Sequence, residues 1–182
     1  MVYNPIEVEE VLINERREIN YYVDCIKPKY KKIKKNGNGI YIFWYYNKTK
    51  KLHDLNRKLF IDGPKKEKQK IEWNWNLENE YVCLYVGKTR DMQKRISQHL
   101  LLDTDNLGSK NGSQLHKKTT ACQLRSGFDY LYSKKENVYI KNELMEHLYL
   151  SIYYEDDFTK RFYLEDYLIG KLRPWFNVDS ER

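Results

Sequence analysis

The stretch GIYIFWYY, residues 39–46, predicts a strand at the centre of a sheet. After its glycine, every residue is β-branched or aromatic, which is typical of a strand buried on both faces. YVCLYVG, residues 81–87, predicts a second strand of the same kind. LYLSIYYED, residues 148–156, predicts a third strand that ends in an acidic turn.

The segments around these strands predict helices, and hence a mixed fold of the α+β (α/β) class. Residues 5–27 follow a broken helical period, and Pro5 suits the first turn. Pro174 should stop a last helix over residues 159–172, because the residue before a proline is pushed out of the helical region. The other helices are predicted over residues 91–102, with Asp91 as the cap, over 114–126 and over 138–147, with a possible short helix near 54–60.

Length and composition restrict the class of protein. A chain of 182 residues suits one domain, and its net charge of +7 suits a polyanionic partner without proving one. The N-terminus has no signal pattern, and no run approaches the roughly 18 apolar residues of a membrane span. The 3 cysteines are far apart, so neither a zinc knuckle nor a disulfide framework is indicated. We therefore expect a soluble cytoplasmic protein.

Two basic regions are expected to extend a core domain that spans residues 37–178. Residues 1–36 should form a helical extension and a basic linker, which is either solvated or an arm that contacts phosphate. Residues 47–80 should be an insertion in the domain. Its lysines interleave with Trp73 and Trp75, so the insertion is either a DNA-gripping element or a solvated loop.

The glycine that ends the second predicted strand, Gly87, begins the sequence GKT, which could be the end of a phosphate-binding P-loop. A P-loop needs an earlier glycine to open the turn that wraps the phosphates, and Val82 stands at that position. We therefore reject an NTPase. Gly87 is expected to mark a sharp exit from the strand into the next helix.

Three polar residues lie beside apolar stripes of predicted helices. Arg95 and His99 are spaced i, i+4 and share one helix face, although taken alone they are better explained as surface residues. Glu165 shares a face with Ile169 and Leu172. A carboxylate that leaves water needs a cation, so Glu165 should either meet a metal ion or an arginine, or reach solvent at the edge of its face.

Taken in chain order, these residues resemble the GIY-YIG nuclease superfamily over about residues 37–178. The matching positions are Gly39-Ile40-Tyr41, Tyr85-Val86-Gly87, Arg95 and His99 on the next helix, Glu165 on a late helix, and Asn177 after R-P-W-F. The second motif has valine in place of isoleucine, and the insertion separates the two tyrosines. The resemblance implies a small three-stranded sheet, mixed or antiparallel, flanked by helices.

The resemblance also implies roles for these residues. Tyr41 corresponds to the family's general base, Glu165 to its metal ligand, and Arg95 to the arginine that binds phosphate and stabilises its charge. A free tyrosine is only about a thousandth ionised at neutral pH, so Tyr41 needs cationic neighbours. Tyr85 and His99 would orient Tyr41, Lys88 would lower its pKa, and Asn177 would brace the site.

The activity implied by the family is hydrolysis of DNA phosphodiester bonds with one divalent metal, Mg²⁺, which Mn²⁺ could replace. The chain resembles the restriction-endonuclease branch most, so we expect a site-specific type II restriction enzyme acting on double-stranded DNA. A homodimer on DNA and a cognate methyltransferase are the further partners to consider. The alternatives are an inactive nucleic-acid-binding module of the same fold and a mobility or repair nuclease. The basic residues assigned to DNA contact are Lys65, Lys66, Lys68, Lys117, Lys118 and Arg125.

Overall fold

The computed structural model describes residues 4–24, 29–48, 58–62, 68–72, 77–100, 124 and 146–177, with the backbone alone at residues 29, 58–62 and 68–71. The helices are α1 (Pro5–Asn14), α2 (Ile19–Tyr22), α3 (Met92–Leu100) and α4 (Phe158–Leu172). The strands are β1 (Arg17–Glu18), β2 (Val23–Asp24), β3 (Lys29–Tyr30), β4 (Gly39–Tyr46), β5 (Lys58–Asp62), β6 (Lys68–Glu72), β7 (Tyr81–Thr89) and β8 (Leu148–Tyr154).

Four of these strands form an antiparallel sheet in the order β1-β8-β4-β7. The central strand, β4, pairs with β7 along its whole length and with β8 over residues 39–45. The mixed α and β class and the three predicted strands are confirmed. The prediction of a three-stranded sheet is wrong, because Arg17 and Glu18 pair with β8 and add a fourth strand at the edge.

The central strand is buried on both faces, and its side chains alternate between two hydrophobic cores. Its odd-numbered residues from Tyr41 to Tyr45 pack with α3 and with Trp175. Its even-numbered residues from Ile40 to Trp44 pack with α1 and α4. A strand without a polar face needs a layer on each side, and the helices supply both layers.

A β-bulge in β7 directs Tyr85 toward the core that contains α3. Phe43 pairs with Tyr85, but the next residue of β4, Trp44, pairs with Cys83. Leu84 is therefore the additional residue on β7. As a result, Leu84 and Tyr85 both pack in the core on the α3 side, although they are consecutive in the sequence.

The predicted helix over residues 5–27 ends at Asn14. Val8 and Leu12 of α1 pack in the core beneath α4, whereas Ile19 of α2 packs in the core on the opposite face of the sheet. One straight helix cannot contribute to both faces. The chain therefore leaves α1, passes the edge of the sheet as β1, and enters the second core.

The predicted insertion, residues 47–80, begins and ends at one point of the sheet. The backbone N–H of Asn47 donates to the carbonyl oxygen of Glu80 at 2.7 Å. The buried side chain of Asn47 donates to the carbonyl oxygen of Leu77 at 2.9 Å. These two bonds join the ends of the insertion, so its length does not disturb the sheet.

Within the insertion, β5 and β6 pair as an antiparallel hairpin. The short helix predicted near residues 54–60 is wrong for residues 58–60, which belong to β5, while residues 54–57 lie outside the described residues. The run Leu59-Phe60-Ile61 has high strand propensity, and β6 supplies the partner that a strand needs.

The ends of α3 and α4 follow the predicted signals. Asp91 accepts a hydrogen bond of 3.1 Å from the N–H of Lys94, as expected of a cap. Asp157 caps α4 in the same way, with a bond of 2.8 Å. Arg173 then takes a left-handed conformation, with φ of 49°, and Pro174 prevents further helix.

The predicted helices over residues 114–126 and 138–147 lie largely outside the described residues. Residues 124, 146 and 147 are described and are helical. Within the described ranges, no helix has both the length and the apolar composition needed to cross a membrane.

A buried polar relay joins α1 to the sheet. The indole Nε1 of Trp44 donates to Ser151 Oγ at 2.9 Å, and Ser151 Oγ donates to the carbonyl oxygen of Leu12 at 2.5 Å. Both side chains are buried, so water cannot replace either bond.

Ser151→Ala should lower the free energy of unfolding by about 1–3 kcal/mol, because it leaves the buried Trp44 N–H and Leu12 carbonyl without their partner. Chemical denaturation would measure the change. In a Trp44→Phe background, Ser151→Ala should lower the free energy of unfolding by a smaller amount, because no indole N–H remains to lose its partner. Equal costs in the two backgrounds would exclude a contribution from the indole hydrogen bond.

Candidate functional site

The candidate site is built around the close approach of Tyr41 to Gly87. The two residues pair directly across β4 and β7. A Cβ atom at position 87 would overlap the Tyr41 hydroxyl and lie 2.5 Å from Tyr41 Cζ. The expectation that Gly87 marks the exit from the strand is wrong, because β7 continues to Thr89. Gly87 is needed for the space that the Tyr41 ring occupies.

Tyr41, Tyr85 and His99 form a buried aromatic cluster. The Tyr41 hydroxyl lies 2.8 Å from His99 Nε2, and the Tyr85 and His99 ring centroids are 4.9 Å apart. Tyr41 is 1% exposed and His99 is 0% exposed. The prediction that His99, taken alone, is a surface residue is therefore wrong. In the tautomer of His99 that carries its proton on Nδ1, Tyr41 donates a hydrogen bond to Nε2.

Burial raises the pKa of Tyr41 well above its usual value of 10.0, because a buried phenolate has lost its hydration. The negative charges of Tyr85 and Glu165 would raise this pKa further, whereas Arg95 lowers it. The expectation that cations lower the pKa of Tyr41 is thus right in direction for Arg95, but burial dominates. In this environment Tyr41 is a neutral phenol at pH 7.

The buried carboxylate of Glu165 on α4 binds Lys88 at the end of β7. The Lys88 backbone N–H donates to Glu165 Oε1 at 3.1 Å, and the Lys88 ammonium donates to Glu165 Oε2. Glu165 is 7% exposed. The cation expected opposite Glu165 is therefore a lysine in this structure, where the sequence indicated a metal ion or an arginine.

Glu165 is suited to hold a hard cation as a single protein ligand. Among the residues that the structure describes, no three His, Cys, Asp or Glu side chains are grouped to hold a metal. Mg²⁺ is commonly bound by one or two carboxylates, with water and substrate phosphate completing its shell. Glu165 fits this pattern, provided that the Lys88 ammonium moves away from Oε2.

Asn177 braces β7 from its outer edge. Its side-chain oxygen accepts from the Val86 N–H at 2.8 Å, and its Nδ2 donates to the Val86 carbonyl oxygen at 2.8 Å. The preceding residues, Trp175 and Phe176, donate backbone hydrogen bonds to the carbonyl oxygens of β7. This segment covers the edge strand of the sheet and fixes the backbone beside Gly87.

A basic groove of about 470 Å³ opens where β7 ends and α3 and α4 begin. Its described lining contains one acidic residue, Asp91, and five cationic residues, which are Lys88, Arg90, Lys94, Arg95 and Arg161. Arg161 is largely committed to the fold, because it donates to the backbone carbonyl oxygens at residues 155 and 156. Of the other four cations, Lys88 also pairs with Glu165. Cations concentrated in this way favour an anionic ligand.

Of the seven residues assigned to the site, the structure places Tyr41, Tyr85 and His99 in one cluster, and Lys88 and Glu165 in one ion pair. Arg95 lines the groove, and Asn177 binds the backbone of Val86. Sequence reasoning missed the groove residues Arg90, Lys94 and Arg161. The signal for two of them was present, because Arg90 and Lys94 precede Arg95 within KTRDMQKR.

The residues assigned to DNA contact fall on parts of the chain whose side chains the structure does not describe. Lys68 is described by its backbone alone, and the other five lie outside the described residues: Lys65, Lys66, Lys117, Lys118 and Arg125.

Comparison of the chain with protein-family models, with curated proteins and with solved structures gives no match. The function is therefore inferred from the chain's own residues.

Gly87→Ala should lower the free energy of unfolding by about 1–3 kcal/mol, because the added methyl group overpacks the space held by Tyr41. The matched control is Gly170→Ala in α4, where an added Cβ meets nothing within 4 Å. The control should stabilise the protein by about 0.5–1 kcal/mol, since alanine favours a helix. Chemical denaturation would measure both. A Gly87→Ala variant as stable as the wild type would contradict the steric role.

Proposed function

We propose that the chain is a metal-dependent DNA endonuclease of the GIY-YIG type. One observation carries the proposal: Arg95 and the buried carboxylate of Glu165 lie close enough to the Tyr41–His99 pair to shift the pKa of Tyr41, and Arg95 lines a basic groove. These residues lie on β4, α3 and α4, and they are the ones that the sequence motifs named. The reaction is hydrolysis of a phosphodiester bond.

In the proposed reaction, Tyr41 acts on the attacking water together with His99. With the proton of neutral His99 on Nδ1, the water oxygen bonds to phosphorus, one water proton passes to the Tyr41 hydroxyl, and the Tyr41 proton passes to His99 Nε2. The bond from phosphorus to the leaving oxygen then breaks, and this oxygen takes a proton from solvent water. The proton added to His99 returns through Tyr41 to solvent. This relay keeps Tyr41 neutral, which accords with the burial that raises its pKa.

Arg95 stabilises the charge that develops on the non-bridging oxygens of the phosphate, because a fixed guanidinium near the reacting group needs no reorganisation. A divalent ion held by Glu165 would supply further stabilisation of the same kind. Lys88, Arg90 and Lys94 hold the neighbouring backbone phosphates in the groove. In this proposal the basic insertion, residues 47–80, makes a separate contact with double-stranded DNA, because its ends meet where β7 begins and the groove lies where β7 ends.

The biological role we propose is that of a site-specific type II restriction enzyme in the cytoplasm. Cutting both strands of a palindromic site requires a homodimer or two successive nicks by a monomer. A cognate methyltransferase would protect the host's own sites. The alternative nuclease role is in DNA mobility or repair.

Two observations favour a second candidate, an inactive nucleic-acid-binding module. The Tyr41 side chain is 1% exposed and is not part of the described groove lining, so water reaches its hydroxyl only after neighbouring side chains move. The Lys88 ammonium occupies Glu165 Oε2, where a metal would bind. A purified protein that binds DNA in the groove but cleaves no DNA with Mg²⁺ or Mn²⁺ would establish this candidate.

Glu165→Gln should lower DNA cleavage by at least about 100-fold. DNA binding should be retained or strengthened, because the substitution releases the groove cation Lys88 from the carboxylate. Plasmid nicking in Mg²⁺ measures cleavage, and fluorescence anisotropy in EDTA measures binding. Glu9→Gln is the matched control, since Glu9 is also buried but accepts a hydrogen bond from Tyr167 at 2.7 Å. Cleavage by Glu165→Gln at the wild-type rate would remove the basis for the metal assignment.

The relay predicts that kcat/KM changes by less than about threefold between pH 7.5 and 9. Because the pKa of Tyr41 is raised, a mechanism that uses a preformed phenolate would instead gain about tenfold per pH unit in this range. His99→Asn can orient the hydroxyl but cannot accept its proton, so this variant should be slower and should show the tenfold rise. Tyr46→Phe is the control and should behave as the wild type. A tenfold rise in the wild type would contradict the relay.

A further inference from the structure

Two exposed phenylalanines lie one turn apart on α4. Phe158 is 55% exposed and Phe162 is 46% exposed, and their ring centroids are 6.3 Å apart. Glu165 follows Phe162 at the spacing that places both on the same side of the helix. The aromatic pair therefore runs from the start of α4 toward the buried carboxylate of the proposed site.

Both rings lie against the cations of the groove. The Lys88 ammonium lies 4.2 Å from the Phe162 ring centroid, and Arg90 Cζ lies 5.6 Å from the Phe158 ring centroid. Phe158 itself lines the groove with Arg95. Each cation covers part of a ring, and about half of each phenylalanine remains accessible to a ligand.

We propose that Phe158 and Phe162 form a platform that stacks a nucleobase of the DNA strand held in the groove. Cations that track a phosphate backbone, together with exposed aromatic rings beside them, are the combination that binds unstacked nucleotides. In duplex DNA the base faces are covered by their neighbours. The platform therefore selects a strand in which a base next to the bound phosphate has left the stack. The inference rests on the proposed function and adds a substrate class to it.

A second copy of the chain is the competing occupant of this surface. The copy would bring its own groove cations with it, because a symmetric contact through Phe158 and Phe162 places the two grooves near each other. Each groove is lined by five described cations and one described carboxylate, and each chain carries a net charge of +7. Charge complementarity therefore favours an anionic strand over a second copy.

The test compares a labelled single strand of about 12 nucleotides with a strand of equal length and charge whose central bases are replaced by abasic sites. Anisotropy titrations in EDTA measure the affinity of the wild-type protein and of Phe158→Ala/Phe162→Ala. The wild type should bind the strand with bases about fivefold to 100-fold more tightly than the abasic strand, as expected for stacking of one base. The double variant should lose this preference and keep the affinity for the abasic strand.

Tyr163→Ala is the matched control. Tyr163 is 51% exposed and neighbours Phe162 in sequence, but its ring lies near Tyr167 and is not part of the described groove lining. The control should retain the wild-type preference. Phe158→Tyr/Phe162→Tyr should also retain it, which shows that a loss in the alanine variant reflects the missing rings and not a change in fold.

Several outcomes would overturn the platform. Equal wild-type affinity for the two strands would do so, as would an equal loss of affinity for both strands in the alanine variant. A variant that keeps the preference but changes from dimer to monomer in sedimentation would assign the surface to a second copy. If the wild type cleaves duplex DNA but does not prefer the strand with bases over the abasic strand, the platform is contradicted and the nuclease function is retained. If the wild type binds neither single strand and does not bind duplex DNA, the platform and the nuclease function are both contradicted.

Discussion

The burial of β4 on both faces is the constraint on which the rest of the structure depends. A strand with no polar face must be covered twice, so α3 packs on one side of the sheet and α4 on the other. Side chains alternate along the paired strand, β7, so Gly87 lies on the side of Tyr41 and Lys88 on the opposite side. The candidate site therefore joins residues from both faces at the end of β7.

Local sequence patterns predicted the strands and helices that carry the site, but they did not predict the long-range contacts that join these elements. Continuous apolar runs predicted β4, β7 and β8, Asp91 predicted the start of α3, and Pro174 predicted the end of α4. The fourth strand and the end of α1 were missed because both depend on pairing with β8, which is distant in sequence. The binding of Glu165 by Lys88 was missed for the same reason, since it follows from how α4 crosses β7. The groove was missed, although four of its five described cations lie within residues 88–95, because only the folded chain brings Phe158 and Arg161 of α4 beside them.

In the proposed enzyme, substrate and metal would replace the contact of Lys88 with Glu165. A carboxylate that is 7% exposed needs a positive partner, and the lysine supplies it when no other cation is present. A phosphate in the groove offers Lys88 a second anion, while a divalent ion offers Glu165 a second cation. Either exchange alone leaves one charge of the pair without its partner, whereas the two together compensate both charges. Substrate and metal should therefore bind with positive coupling in the proposed enzyme.

In the proposed reaction, charge compensation also decides how the buried Tyr41 takes part in proton transfer. An isolated phenolate at Tyr41 would be costly, because burial raises the pKa of Tyr41 and Arg95 offsets this only in part. The 2.8 Å contact with His99 removes the need for that species, since one proton can arrive as another leaves. Positive charge would then appear on His99, close to the negative charge gathering on the phosphate. Burial thus opposes a standing charge on Tyr41, and it strengthens the attraction between the paired charges that form only during the reaction.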